Sequence, residues 1–345
     1  MYKRALKSPQ VFKLIFIVII GAGTIFFSKE VSGGINEGIY FCVTVLVPSI
    51  FPFMIISSLT AKLNLGFKGK TFNRITNSLF GLSAKTVFTV LIGISGGYPV
   101  AAKGISALYK NGSISEREAA KAAYIAVGAG PGFLITYIGI RLLNSFDAGA
   151  ALFSSQIISV IILGIINRII FGKGDYNSKF ETKTKINTFE AFISSVSDAV
   201  YAVIEMCAVV CVFSSIIKVI EKYSGERDIV NIILEVSRAC YKLSENGNIV
   251  LIAFAVGFGG ICVHIQIFQA LGDIKIKKGL FFFYRIIQGG ITAALTYLFC
   301  KVFNITIPVF SSIREDFSLS LSSSVVGSSL LILTGICFLC SIKKN

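Results

Sequence analysis

The 345-residue chain has one histidine, His264, no tryptophan, three methionines and six prolines. A lone imidazole excludes most histidine-based catalytic groupings and cannot by itself define a metal site. Charge is scarce too, at 15% of residues, where an ordinary soluble domain has about 25%. Acids are scarcest: 18 Asp and Glu stand against 33 Lys and Arg, a net charge of +15. Neither a Walker A sequence nor an HExxH helix occurs, so nothing points to an ATP-driven pump or a zinc protease. No enzyme activity, cofactor or bound metal is expected. The eight cysteines fall mostly in apolar segments, where a free thiol behaves as a small hydrophobe. They indicate neither a disulfide framework nor a zinc site.

What the chain does have is apolar length. Hydrophobic residues make up 54% of it, the mean hydropathy is +0.77, and apolar runs recur from residue 11 to residue 340. The runs are continuous rather than alternating, which argues for helices and against a β-barrel. The expected fold class is all-α: a polytopic transmembrane helical bundle. The basic residues sit in short loops between the runs, as the positive-inside rule requires, and not on a nucleic-acid-binding face. The lipid bilayer and a small molecule are the expected partners, with no nucleic acid. Lys3, Arg4 and Lys7 precede a run, 11–27, that is too long for a signal-peptide core and lacks a small-residue cleavage site. It is expected to be a first transmembrane helix with its N-terminus in the cytoplasm.

The pattern predicts helices near 11–28, 38–61, 84–110, 119–142, 149–171, 189–221, 248–272, 279–303 and 323–342. A polar linker, 173–188, separates a first repeat, 38–172, from a second, 189–345, with 1–37 as an N-terminal helix ahead of both. Two glycine breaks interrupt apolar segments, Gly93-Ile94-Ser95-Gly96-Gly97-Tyr98-Pro99 and Gly257-Phe258-Gly259-Gly260-Ile261-Cys262-Val263-His264. A helix broken in a bilayer exposes peptide groups that lipid cannot satisfy, so it survives only against protein or a ligand. Paired breaks in two repeats point to a transporter's binding site. These two match at an offset of about 164 residues, Met54–Leu59 resembles Val212–Ile216 at about 157, and Gly128-Ala129-Gly130 aligns with Gln288-Gly289-Gly290 at about 160, which together indicate an internal repeat. The basic loop 62–85 and the linker are placed inside and the balanced loop 222–247 outside, which makes the repeats inverted. Lys275, Lys277 and Lys278 fit this scheme poorly, leaving 248–272 open between a re-entrant hairpin and a full span.

Pro99 suits a first helical turn, and a helix N-terminus inside the membrane is an anion site. Lys103, four residues on, can add its charge. His264 stands at a comparable distance after Gly260, with Gln266 beyond it. The expected substrate-binding residues are Ser95, Gly96, Gly97, Tyr98, Pro99, Lys103, Gly259, Gly260, His264 and Gln266. Glu205, mid-span, is a candidate proton carrier or a partner for Lys103 or Arg285; a structural ion pair is the alternative. For either break alone, glycines that permit tight helix packing are the bland reading.

Val47-Pro48-Ser49-Ile50-Phe51-Pro52-Phe53, Ser95–Lys103 and Gly257–Gln266 resemble the YlbJ (SpoVV) family of sporulation integral membrane proteins, within the wider group of nucleoside-recognition or gate domains. Leu234-Glu235-Val236 resembles that family's Leu-Glu-Ile element. The sequence departs from the family at Val127-Gly128-Ala129-Gly130, where a more polar stretch is usual. The resemblance implies endospore formation and movement of dipicolinic acid across the outer forespore membrane. A secondary transporter for a small organic anion is therefore expected. A nucleoside or other small-metabolite carrier and a non-transporting spore-assembly scaffold are the alternatives.

Overall fold

The computed structural model describes residues 9–307, apart from 64, 66–68 and 175–186. Every regular element among the described residues is a helix. Four are long and apolar enough to cross a membrane: α2 (Ser28–Lys62), α8 (Phe146–Phe171), α9 (Thr188–Ser224) and the interrupted stretch Ile249–Leu271. α3 (Lys70–Phe80) and α4 (Ala84–Gly96) form an apolar pair bent by 70°. The protein is an all-α, multi-pass integral membrane protein. The first apolar run forms α1 (Pro9–Phe26). The expected helix at 323–342 lies outside the described residues, as do most of the linker and Cys337 and Cys340, whose spacing is CxxC.

The expected helix 38–61 is the second half of a longer one. α2 starts at Ser28 and passes through a π-helical turn, Cys42–Leu46, just ahead of Pro48. Its packing partner is α9. Gly34 lies against Ser215, and a Cβ on Gly38 would stand 2.8 Å from the Cα of Cys211. Such close approach of small residues is how helices associate where lipid removes the hydrophobic driving force.

The first glycine break is the tip of a hairpin. α4 ends at Gly97, whose φ of +95° suits only glycine, and α5 (Tyr98–Lys110) begins there with Pro99 in its first turn. Gly93 is packed so close to Ala101 that a Cβ would collide with the neighbouring backbone, and Gly104 meets the methyl of Thr89. The partner numbers rise on one helix as they fall on the other, so α4 and α5 are antiparallel and the chain re-enters and leaves on one side.

The second glycine break is of a different kind. α12 (Ile249–Phe258) and α13 (Gly260–Leu271) meet at Gly259 and Gly260, both with positive φ, but together they form one through-running span. One break is thus a hairpin tip and the other an interruption within a span. The order that does occur twice is hairpin, interrupted helix, unbroken helix. In the first half it is α4–α5, then α6 (Glu116–Ala123) with the π-helical α7 (Gly132–Leu142), then α8. In the second half it is α10 (Asp228–Leu234) packed on α11 (Val236–Glu245), then α12–α13, then α14 (Lys278–Val302).

A full span at 249–271 also relieves the misplaced lysines. Lys121 Nζ donates to the carbonyls of Gly172 and Lys173 at 3.1 and 3.4 Å, and Lys277 N donates to Tyr124 Oη at 2.9 Å. The loop that holds Lys275, Lys277 and Lys278 therefore shares a face with the start of the polar linker. Arg117, Lys121, Lys275 and Lys277 line one cavity there, of about 380 Å³. These lysines therefore group with the start of the linker and not with the loop 222–247. The opposite face carries balanced charge: Arg238 bonds Glu37 and Glu221, Lys218 pairs with Glu37, Lys222 with Glu30, and Lys242 with Glu226.

Candidate functional site

Four helix N-termini converge on one small cavity. α5 brings Gly97, Tyr98 and Pro99; the break before α7 brings Ala129, Gly130 and Phe133; α11 brings Glu235, Val236 and Ser237; α13 brings Cys262, Val263 and Gln266. Leu46 and Ile50 of α2 and Met206 and Val210 of α9 close the side. A helix N-terminus carries unpaired N–H groups and roughly half a positive charge, so each is a place for a negative group.

One of the four is already occupied by a carboxylate. Glu235, 3% exposed, caps α11 by accepting from Ser237 N at 3.0 Å and Arg238 N at 2.7 Å. Arg238 itself turns its guanidinium away, to Glu37 and Glu221. At Gly97 and Glu235 the two hairpins reach the cavity from opposite halves of the chain. Tyr98 Oη donates to Val256 O at 2.8 Å, tying the first hairpin's tip to the interrupted span of the second half.

The unwound stretch 125–130 shows how backbone is satisfied without water. Gln156 clamps Ala129 from both sides, accepting from its N–H at 2.9 Å and donating to its C=O at 2.8 Å. Gln288 donates to Val127 O at 2.9 Å. Arg285, wholly buried, spans Tyr124 O and the Gln288 side chain. Gln156 on α8 and Gln288 on α14 do the same work from the unbroken helix of each half, and those helices touch where Thr292 Oγ1 meets Ser159 Oγ at 3.1 Å. A buried peptide group without a partner costs several kcal/mol in such surroundings. These side chains replace the missing helical bonds.

The expected site residues divide. Gly97, Tyr98, Pro99 and Gln266 line the cavity. Gly259 and Gly260 form the turn beside it, and a Cβ on Gly259 would come within 3.7 Å of the Tyr98 ring. Ser95 and Gly96 sit in the last turn of α4, where Ser95 Oγ donates to Leu91 O. Gly93–Gly97 matches the GxSxG spacing of a hydrolase elbow, but that motif needs a strand-turn-helix, and here it ends a helix inside a hairpin. Lys103 is not at the cavity: it pairs with Glu205 at 3.0 Å. Arg285 makes no pair with Glu205, because its guanidinium is committed to the backbone of the break.

His264 is likewise absent from the lining. It is fully buried, its Nε2 bonds Phe258 O at 2.8 Å, and its ring is boxed edge-on by Phe258, Phe281 and Phe282. Nδ1 has no hydrogen-bond partner among the described residues. It is a packed core side chain.

Sequence reasoning passed over Gln156, whose only signal was a glutamine in the middle of an apolar span. It gave Glu235 as part of a family-like element but no role. Among the described residues no group of three His, Cys, Asp or Glu could hold a metal ion.

Over 304 residues, 74% of each chain, this protein is 20% identical to the sporulation integral membrane protein YlbJ of Bacillus subtilis (strain 168). It is a distant relative of that protein. No family model and no solved structure matches the chain.

Proposed function

We propose that this protein is a secondary transporter for a small organic anion, dipicolinate in the first place, during endospore formation, and that it resides in the outer forespore membrane. The observation that carries the reading is the convergence of four helix N-termini on one cavity, with a carboxylate already seated at one of them. A substrate with two carboxylates meets the same field at the remaining three. The two sets of hairpin, interrupted helix and unbroken helix are inverted repeats, one hairpin opening to the basic face and the other to the balanced face. Alternating access then consists of withdrawing one hairpin tip and then the other.

The cavity measures about 30 Å³, room for about two waters. The present conformation is therefore closed, and binding requires the tip at Gly97 to move away from Gly130. The relative's name supplies sporulation; dipicolinate rests on the resemblance and on the field at the cavity.

A second reading, a carrier of nucleosides or another uncharged metabolite, draws on one observation. No Lys, Arg or His lines the cavity, and its one acidic side chain is Glu235. Uptake into proteoliposomes separates the two. Dipicolinate accumulates above empty liposomes, and unlabelled uridine does not compete. Uridine uptake with no dipicolinate uptake would select the second reading.

A further inference from the structure

α9 carries an exposed polar stripe through the level of the membrane. Ser194, Asp198, Tyr201 and Glu205 follow at spacings of four, three and four, which places them on one side of an α-helix. All four are exposed, Tyr201 at 62% and the side chains of Asp198 and Glu205 at 55% and 48%. Neighbouring elements meet the stripe with cations and a hydroxyl. Lys62 of α2 bonds Ser194 and pairs with Asp198 at 2.7 Å, and Ser58 donates to Asp198 at 2.9 Å. Lys103 of α5, 37% exposed, pairs with Glu205 at 3.0 Å.

Glu205 lies about halfway along a 37-residue helix whose other exposed positions include Ile204, Phe192 and Ile193. An ion pair at that depth cannot face hydrocarbon: intramembrane charges face protein or a water-filled cavity. No described residue covers these groups: they stay exposed with all described residues in place. One step beyond Glu205 along α9, Met206 and Val210 line the closed cavity, and Lys103 is on the same helix as the hairpin tip.

We propose that α2, α5 and α9 bound a water-filled crevice that opens on the basic face and leads to the hairpin tip, and that it is the anion's access route from that face. This rests on the transport reading above. Lys62 and Lys103 attract the anion, while Asp198 and Glu205 balance them so that neither lysine holds it.

The test is labelling by a membrane-impermeant maleimide applied from the basic face, in membranes containing the full chain. Single substitutions Tyr201→Cys and, on the apolar exposed side of α8, Ile161→Cys are compared, and modification is read by peptide mass spectrometry so that the native cysteines can stay. Both positions are exposed, at 62% and 40%, and both lie mid-helix. Tyr201→Cys should react roughly tenfold faster or more, because only a hydrated thiol ionises. Ser194→Cys, nearer the basic face, should match Tyr201→Cys and serves if the latter variant misfolds. Reaction of both stripe positions no faster than Ile161→Cys overturns the crevice. Fast stripe labelling in a protein that fails to take up dipicolinate upholds the crevice and removes the cargo, so the two failures are distinguishable.

Discussion

Replacing Gln156 by leucine should damage the fold far more than a single polar-to-apolar change in a membrane span usually does. The side chain makes two buried hydrogen bonds to one residue, Ala129, at 2.9 and 2.8 Å, and is itself fully buried. Leucine fills a similar space but leaves both the N–H and the C=O of Ala129 without a partner. Each orphaned group costs about 1–3 kcal/mol, so the pair costs roughly 2–6 kcal/mol. For a chain of this size that corresponds to a fall in apparent Tm of about 3–8 °C. The assay is thermal unfolding of the purified protein in detergent, with Ile165→Leu on the exposed side of the same helix as control. A Gln156→Leu protein that melts within about 1 °C of the control would show that the break is not held by this clamp.

Other outcomes follow from the same geometry. Gly93→Val drives a side chain into the backbone at Ala101 and should prevent the α4–α5 hairpin from closing, seen as loss of monodisperse protein on size exclusion. Arg285→Met removes a buried guanidinium that holds Tyr124 O and Gln288, and should cost about 3 kcal/mol or more in thermal unfolding. Lys103→Ala and Glu205→Ala, combined in a double-mutant cycle, should show a coupling of about 1 kcal/mol or less, as for any solvated pair. His264→Phe keeps the aromatic box and should retain uptake, whereas a substrate ligand at that position would lose it.

The sequence made the helices legible because apolar runs of bilayer length admit few alternatives, and it located both breaks because glycine and proline mark them. The breaks could not be sorted by kind. Whether a glycine interruption folds back or runs through depends on side-by-side contacts such as Gly93 with Ala101, which composition does not reveal. The same limit explains Lys103 and His264. Each follows its break at a distance that puts it near the helix start, yet helical phase turns Lys103 toward α9 and His264 into Phe281 and Phe282. Arg285 suggested an ion pair because a buried cation usually has an acid beside it; here the Tyr124 carbonyl and the Gln288 side-chain oxygen take that place. Lys275 and Lys277 misled only while 248–272 was open to being a hairpin.

The most direct test of the cavity as the anion site is equilibrium binding of radiolabelled dipicolinate to the purified protein, with Gly130→Val beside the parent. A Cβ at residue 130 would stand 2.8 Å from Ser95 O, between the hairpin tip and the unwound stretch. Saturable binding in the parent and none in a Gly130→Val protein that is still folded is the expected result. Equal binding in the two proteins, or no saturable binding in the parent, would contradict the site.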